Sequence, residues 1–312
     1  NLRSPIVDQT LIKSDEEFAR IKDIIQNDEI DGFRSQLYNF QKRSILKMVE
    51  KESVQREELM PSITQFSRGF FDVKNLQAIV RPPTYRPPRG GILAENMGLG
   101  KTCICLALIC ISKLQASRNP TPHIHTRSVS KVHSLFDTCV EFITQNSIPW
   151  RTYYDDFAPH IIKRLETTVG YFEKKETKCR NKKTRSNSSS GDIVQSKKYY
   201  LSYTTLVVLP DNLFHQWRIE IFKHVEKNYL NVFEIQTLKD ADILKSIDIE
   251  KLVNYDVLLI ANSVFSKQFE IADSLLKQVY WKRLIIDEGH SVSSKTSRCV
   301  LLTKDLMYER MW

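Results

Sequence analysis

The sequence predicts an α/β protein built on a doubly wound, mostly parallel sheet with flanking helices. Three observations lead there. From Tyr203 onward, short apolar runs alternate with stretches of helical periodicity. A glycine-rich turn ending in Gly100-Lys101-Thr102 opens directly into an apolar helical pattern, and an aliphatic run over Arg283–Ile286 ends in the paired acids Asp287-Glu288. Alternating strands and helices are what a parallel sheet with crossover helices requires.

Taken in order, residues 13–27 and 34–51 have helical periodicity, with Leu37, Phe40, Ile45 and Met48 near one face. Residues 61–89 read as loop and close on two Pro-Pro pairs. A first short strand is expected over Gly91–Ala94, and the helix after the glycine-rich turn should run to about Leu114. Residues 116–200 leave the alternation, with helical stretches expected over Val129–Thr144 and around His160–Phe172, then a basic tract whose polarity and lack of periodicity read as disordered. The pattern resumes with strands at Thr204–Leu209, Val232–Gln236, Asp256–Ala261 and Arg283–Ile286, and with helices over Asn212–Val225 and 239–251.

A chain of 312 residues makes one large or two small domains, and 41% apolar with 27% charged residues is ordinary for a globular chain with a sizeable core. The longest apolar run, Cys103 to Ile111, is far too short to span a bilayer, and Asn-Leu-Arg-Ser-Pro at the start lacks the apolar core of a secretory signal, so no membrane partner is expected. The six cysteines have neither zinc spacing nor the density of a secreted disulfide scaffold. Cys103, Cys105 and Cys110 read as thiols packed along one helix, and His123, His125, His133, Cys139 and Cys179 lack ligand spacing. A reducing compartment, cytosol or nucleus, fits. The net charge of +9 suggests an acidic partner, but residues 174–198 hold nine Lys or Arg against Glu176 and Asp192, so most of the excess sits in one segment. A solvated basic loop and a nonspecific, salt-sensitive phosphate contact both fit it.

The turn before Thr102 has the chemistry of a phosphate cradle. Backbone N–H groups around Gly98 to Lys101 would face the anion, the helix N-terminus adds partial positive charge and Lys101 a full one, while Thr102 would place its hydroxyl on Mg²⁺. Glu95 stands where the generic motif has a glycine, and small residues before a helix are also ordinary capping chemistry, so the turn alone decides nothing. Asp287 and Glu288 supply a second site. Carboxylates at the C-terminal end of a buried parallel strand face the crevice where ligands bind in open α/β sheets, although paired acids there are also common as solvated turn residues. Asp287 could hold Mg²⁺ and Glu288 could deprotonate a water.

Four segments together resemble the first RecA-like lobe of a Swi/Snf-family ATPase of helicase superfamily 2. Leu37-Tyr-Asn-Phe-Gln41 resembles the family's Q motif; Gly90-Gly-Ile-Leu-Ala-Glu-Asn-Met-Gly-Leu-Gly-Lys-Thr102 resembles motif I, where the family usually carries an acid at the position of Glu95. Thr205 to Trp217, with Glu220 following, resembles motif Ia, and Asp287-Glu-Gly-His290 resembles motif II in the form found in the post-replication-repair branch. The resemblance divides the chain into an N-terminal extension (1–33), a first part of the lobe (34–115), an insertion (116–200) and a second part (201–312), with a second RecA-like lobe in cis absent.

That resemblance implies ATP and Mg²⁺ as cofactors, double-stranded DNA as partner, nucleosomes or replication and repair proteins as further partners, and a nuclear location. It places Gln41 on the adenine and Glu95, Asn96, Met97, Gly98, Leu99, Gly100 and Lys101 around the phosphates. It puts Thr102 and Asp287 on Mg²⁺, makes Glu288 the catalytic partner of Lys101, and lets His290 couple the nucleotide to the DNA side. Thr205, Pro210 and Gln216 are the expected DNA contacts, and Trp217 is expected in packing. Ala261-Asn262 departs from the Thr-Tyr or Ser-Tyr pair usual in the family at the position of one expected DNA contact. Lys101 and Glu288 lie 187 positions apart, more than a minimal lobe needs, and the surplus maps to the insertion, expected to be a helical partner-binding or DNA-contacting element. The implied activity is ATP-driven translocation on duplex DNA, weak in this chain alone without the arginine fingers of a second lobe. The competing reading is a truncated or degenerate paralogue that binds nucleotide or DNA without turnover. The Met-Gly-Leu-Gly-Lys-Thr and Gln-Trp signatures point away from a strand-separating helicase.

Overall fold

The computed structural model describes residues 16–53, 57–66, 69–120, 134–177, 194–289 and 296–312. The chain divides into two compact units, one ending at Ile111 and one spanning Ser112–Trp312.

In the first unit, helix α1 (Glu16–Gln26) falls where periodicity places it, and α2 (Asn39–Ser53) begins later than the expected residue 34. The face of α2 that carries Gln41, Ile45, Met48, Val49 and Glu52 is buried, a stripe at helical spacing. Residues 61–89 are not loop. Strands β1 (Glu58–Leu59), β2 (Ile63–Phe66), β3 (Gly69–Asp72), β4 (Gln77–Ile79) and β5 (Thr84–Tyr85) form a three-stranded antiparallel sheet, β2-β3-β4, and a separate pair, β1-β5. Their side chains are mostly exposed or half-buried, so they lack the apolar alternation that marks a strand in sequence. The strand expected over Gly91–Ala94 does not form: Gly90 and Gly91 have no side chain to pack, and Ile92 is 91% exposed. Helix α3 (Lys101–Ile111) follows, three residues shorter than expected, with every residue from Cys103 to Cys110 buried. A helix apolar on all sides is a core helix.

The second unit holds the parallel sheet. Its first described helix, α4 (Leu135–Gln145), begins later than Val129, with residues 129–133 outside the described part, and is capped by Ser134, whose Oγ accepts from the Asp137 N–H. A 3₁₀ turn over Trp150–Asp156 leads to α5 (Pro159–Thr167), which ends before the expected Phe172 because the chain turns extended at Thr168. The insertion is therefore not purely helical. Strands β6 (Tyr171–Thr177) and β7 (Val194–Leu201) pair antiparallel, and the basic tract between them lies outside the described residues.

Strand β8 (Thr205–Leu209), a 3₁₀ turn at Asp211–Leu213 and α6 (Phe214–His224) match the expected strand–helix unit. Strand β9 (Val232–Ile235) follows. The helix expected over 239–251 is broken into α7 (Leu238–Ala241), a 3₁₀ turn at Asp242–Lys245 and α8 (Ile249–Leu252), each new start carrying its own aspartate, Asp242 or Asp248, at or before the first turn. Next come β10 (Val257–Ala261), α9 (Asn262–Lys267), β11 (Val279–Trp281), β12 (Arg283–Ile286), α10 (Arg298–Asp305) and β13 (Met307–Tyr308). One four-stranded sheet has the order β12-β8-β10-β9, parallel throughout. Strands β8 and β10 are buried at every residue, as central strands covered on both faces must be. A second sheet, β13-β11-β7-β6, is parallel except at β6. The α/β class and the mostly parallel sheet agree with the sequence; the division into two four-stranded sheets is a feature of the structure alone.

Candidate nucleotide site

The phosphate-loop candidate lies wholly in the first unit. Gly98 and Gly100 take left-handed backbone conformations, φ +82° and +76°, available to glycine at little cost. A Cβ on Gly100 would stand 2.7 Å from Gln41 Nε2, so the glycine also makes room for that side chain. Gln41 is buried and braces the loop: its Oε1 accepts from the Tyr38 N–H at 3.0 Å, and its Nε2 donates to the Leu99 carbonyl at 3.1 Å. The amide expected on an adenine is thus engaged by its own chain. Glu95 splits its two ends. Its carboxylate accepts from Ser44 Oγ at 2.8 Å, while its carbonyl accepts from Lys101 Nζ at 3.1 Å, with Asn96 contributing a second carbonyl at 3.4 Å. Among the described residues Lys101 makes no carboxylate pair, so its charge is held by neutral carbonyls of the loop. Met97 projects from the tip, 90% exposed. Thr102 sits in the first turn of α3, half-buried. Such a cation, beside left-handed glycines at the start of an 11-residue helix, fits a phosphate group.

The acidic turn lies wholly in the second unit. Strand β12 runs beside β8, and the Asp287 N–H donates to the Val208 carbonyl at 3.0 Å, fixing Asp287 at the C-terminal end of the sheet. Trp217 Nε1 donates to Asp287 Oδ2 at 2.8 Å, and Asp287 Oδ1 accepts from the Glu288 N–H at 3.0 Å. Trp217 is buried, as expected, and the requirement that a buried indole N–H find an acceptor is the signal that could pair it with a carboxylate. Glu288 has φ +50°, a left-handed conformation that costs a non-glycine residue about 1–2 kcal/mol and is held by the turn around it. Both acids are half-buried. His290 lies outside the described residues.

The expected DNA contacts separate. Pro210, half-buried, and Gln216, exposed on α6, follow the C-terminal end of β8. Thr205 must be corrected: it opens β8 at the opposite end, is 1% exposed, and its Oγ1 accepts from buried Arg283 at 3.2 Å. Buried at the start of β8, that hydroxyl is not presented to a nucleic-acid backbone. Ala261 ends β10 and Asn262 begins α9, whose Ser263 N–H donates to Asp211 Oδ1 at 3.2 Å, so the turns after β8 and β10 are tied together. The sequence alone does not single out Ser44 or Asp211, because each acts across more than 50 positions.

A cleft of about 890 Å³ opens at the N-terminal end of the same sheet, lined by Lys113, Arg151, Asn231, Tyr255 and Asp256 among others. Burial pushes the Asp256 carboxyl up, partly offset by the Asn231 N–H and by Lys113, Arg151 and Lys282. None of the nucleotide-site residues lines this cleft; in parallel α/β sheets ligands bind at the other end of the strands, where Asp287 stands.

The SNF2-related domain model matches residues 40–312. The chain belongs to the SNF2-related domain family. Among curated relatives, an Arabidopsis thaliana protein named putative SWI/SNF-related matrix-associated actin-dependent regulator of chromatin subfamily A member 3-like 1 is 24% identical over 89% of this chain and 27% of its own length. DNA repair protein RAD5A of Arabidopsis thaliana is 25% identical over 74% of this chain and 19% of its own length. The Mus musculus helicase-like transcription factor is 21% identical over 98% of this chain and 37% of its own length. The chain thus spans between about a fifth and somewhat over a third of the length of these SNF2-related proteins. A solved Sulfolobus solfataricus SWI2/SNF2 ATPase core in complex with dsDNA overlaps 35% of this chain and 20% of its own, with 22% identity and a TM-score of 0.28, too little to carry the fold by itself.

Proposed function

We propose that this chain supplies the nucleotide-binding machinery of an ATP-dependent double-stranded DNA translocase acting in the nucleus on chromatin or on DNA under repair. Residues 34–115 and 201–312 would contribute to one ATPase lobe, with 116–200 as its insertion. The observation that carries the reading is Lys101: a cation at a helix N-terminus whose acceptors, among the described residues, are carbonyls of a left-handed glycine loop. In this reading Lys101 would bind the β- and γ-phosphates of ATP, backbone N–H groups around Gly98 to Lys101 would cradle them, and Thr102 and Asp287 would hold Mg²⁺. Mg²⁺, when bound, neutralises phosphate charge. Glu288 orients and deprotonates the water, its carboxylate carried by a turn that Trp217 and Val208 hold in place. Gln41 exchanges its bond to the Leu99 carbonyl for the adenine edge. Pro210 and Gln216 remain the proposed DNA contacts, and His290 the coupling residue; Thr205 is withdrawn. The names of the relatives, which speak of chromatin and DNA repair, support the nuclear setting.

The test is ATP hydrolysis by the longest polypeptide that carries this chain, with and without duplex DNA, beside Lys101→Ala. Stimulation by duplex DNA that falls by about a hundredfold or more in the variant supports the reading. Absence of turnover with retained binding of a fluorescent ATP analogue replaces it with a nucleotide-binding module.

A further inference from the structure

The β6–β7 ribbon is the part of the second unit that the nucleotide chemistry does not use. Its base is anchored: Phe172, Tyr199, Leu201 and Tyr280 form a buried cluster with Met307 packed against it. Phe172 stacks on Tyr199 with ring centroids 5.4 Å apart and meets Tyr280 edge-on at 5.3 Å. Among the described residues β7 pairs with β11 only at Tyr200 and Leu201, so from Tyr199 outward the two strands pair only with each other, over roughly 17 Å at the usual rise per residue.

Four lysines line this projection. Lys174, Lys175 and Lys198 are exposed and Lys197 is half-buried. Lys198 Nζ lies 3.7 Å from the Tyr171 ring centre and 4.6 Å from that of Tyr200, and Lys197 Nζ lies 5.2 Å from that of Tyr199. Lys174 and Lys197 stand directly opposite one another, a like-charge cross-strand pair that costs stability. Among the described residues none of the four makes an ion pair: Glu173 stands directly opposite Lys198, but its carboxylate accepts from Ser196 Oγ. Lysines also guard sheet edges against unwanted pairing. Edge guarding accounts for one lysine on each strand, whereas each strand of the ribbon carries two, Lys174 and Lys175 on β6 and Lys197 and Lys198 on β7.

We infer that the β6–β7 ribbon is a docking arm for the sugar-phosphate backbone of duplex nucleic acid. It is distinct from the contacts proposed at Pro210 and Gln216. Strand β7 leads into β8 through residues 202–204, so the ribbon leaves the N-terminal end of the sheet, whereas Pro210 and Asp287 lie at the C-terminal end. Lysines that neutralise phosphates and tyrosines that hold two of those lysines in place make a binding surface without sequence preference.

The experiment is fluorescence anisotropy of a labelled blunt duplex with the full chain, as a function of salt. Replacing Lys174, Lys175, Lys197 and Lys198 together by Gln should weaken binding and flatten the salt dependence by about 0.9 in logarithmic slope for each phosphate that is no longer neutralised. Binding of a fluorescent ATP analogue should not change, which separates this inference from the nucleotide reading; Lys101→Ala should do the reverse. A second variant, Lys197→Glu, keeps the edge charged and converts the opposed pair into an attractive one, so its melting temperature should rise while its duplex affinity falls. Wild-type affinity and slope in the fourfold variant, or equal loss of stability and affinity in Lys197→Glu, would overturn the proposal. Competition by polyglutamate as effective as by unlabelled duplex would replace nucleic acid with an acidic protein partner and overturn it too.

Discussion

The glycine loop before α3 and the acidic turn after β12 solve the same problem, holding a charged side chain ready for a ligand, in opposite ways. Lys101 is held by two carbonyls of its own loop, within six positions in sequence, and the loop depends on glycines at φ +76° and +82°. Asp287 is held by Trp217, 70 positions away, and by a backbone bond to β8. The first arrangement is local and exchangeable: neutral carbonyls can give way to phosphate oxygens without leaving a buried charge unpaired. The second is non-local and fixed, since Trp217 is buried and Asp287, the first residue after β12, is bonded to β8 through its own N–H. Charge supply and positional precision are therefore assigned to different parts of the chain.

Substitutions can break that contrast. The largest effect after removal of Lys101 itself is expected from Gly100→Ala, which adds about 1–2 kcal/mol of left-handed strain and drives a methyl group to within 2.7 Å of Gln41 Nε2. Affinity for a fluorescent ATP analogue should fall by about tenfold or more, as read by titration. Trp217→Phe keeps most of the packing and removes the donor to Asp287, so hydrolysis should fall by about 10- to 100-fold while nucleotide affinity stays near wild type. Equal reduction of both quantities would show that the turn is not separately positioned.

Thr205→Val probes the opposite end of β8. It leaves an Arg283 guanidinium nitrogen without its hydroxyl acceptor in a fully buried setting and should cost about 1–3 kcal/mol in denaturant unfolding, with no change in duplex binding. A selective drop in duplex binding would restore Thr205 as a DNA contact. The smallest effect concerns thiols. Burial pushes Cys299 up to about 11, whereas Cys139 is exposed, so iodoacetamide at pH 8 should modify Cys139 before Cys299, as read by mass spectrometry of the peptides. Because the folded value lies above the ordinary one, the contribution of Cys299 is present below pH 9 and is lost as pH rises toward 11.

Strands β8, β10 and β12 are legible in the sequence because each is a short apolar run buried on both faces, and α3 because its apolar residues follow directly on a glycine turn. The antiparallel strands between residues 58 and 85 and the β6–β7 ribbon are not, because solvent-facing strands can be polar and charged, and Glu-Lys-Lys or Ser-Lys-Lys carries no hydrophobic period. At the candidate site, residue types in order reveal the loop and the acids. Interactions made across the fold, from Trp217 to Asp287 and from Ser44 to Glu95, have no local signature, and Thr205 misleads because position within a motif does not tell which end of a strand faces the ligand.

The indole N–H of Trp217 points at the carboxylate of Asp287, so the electronic state of the ring is coupled to the charge that carboxylate feels. Trp217 is one of four tryptophans, so a ligand that draws on the Asp287 carboxylate is expected to shift one component of the intrinsic emission of the unlabelled protein.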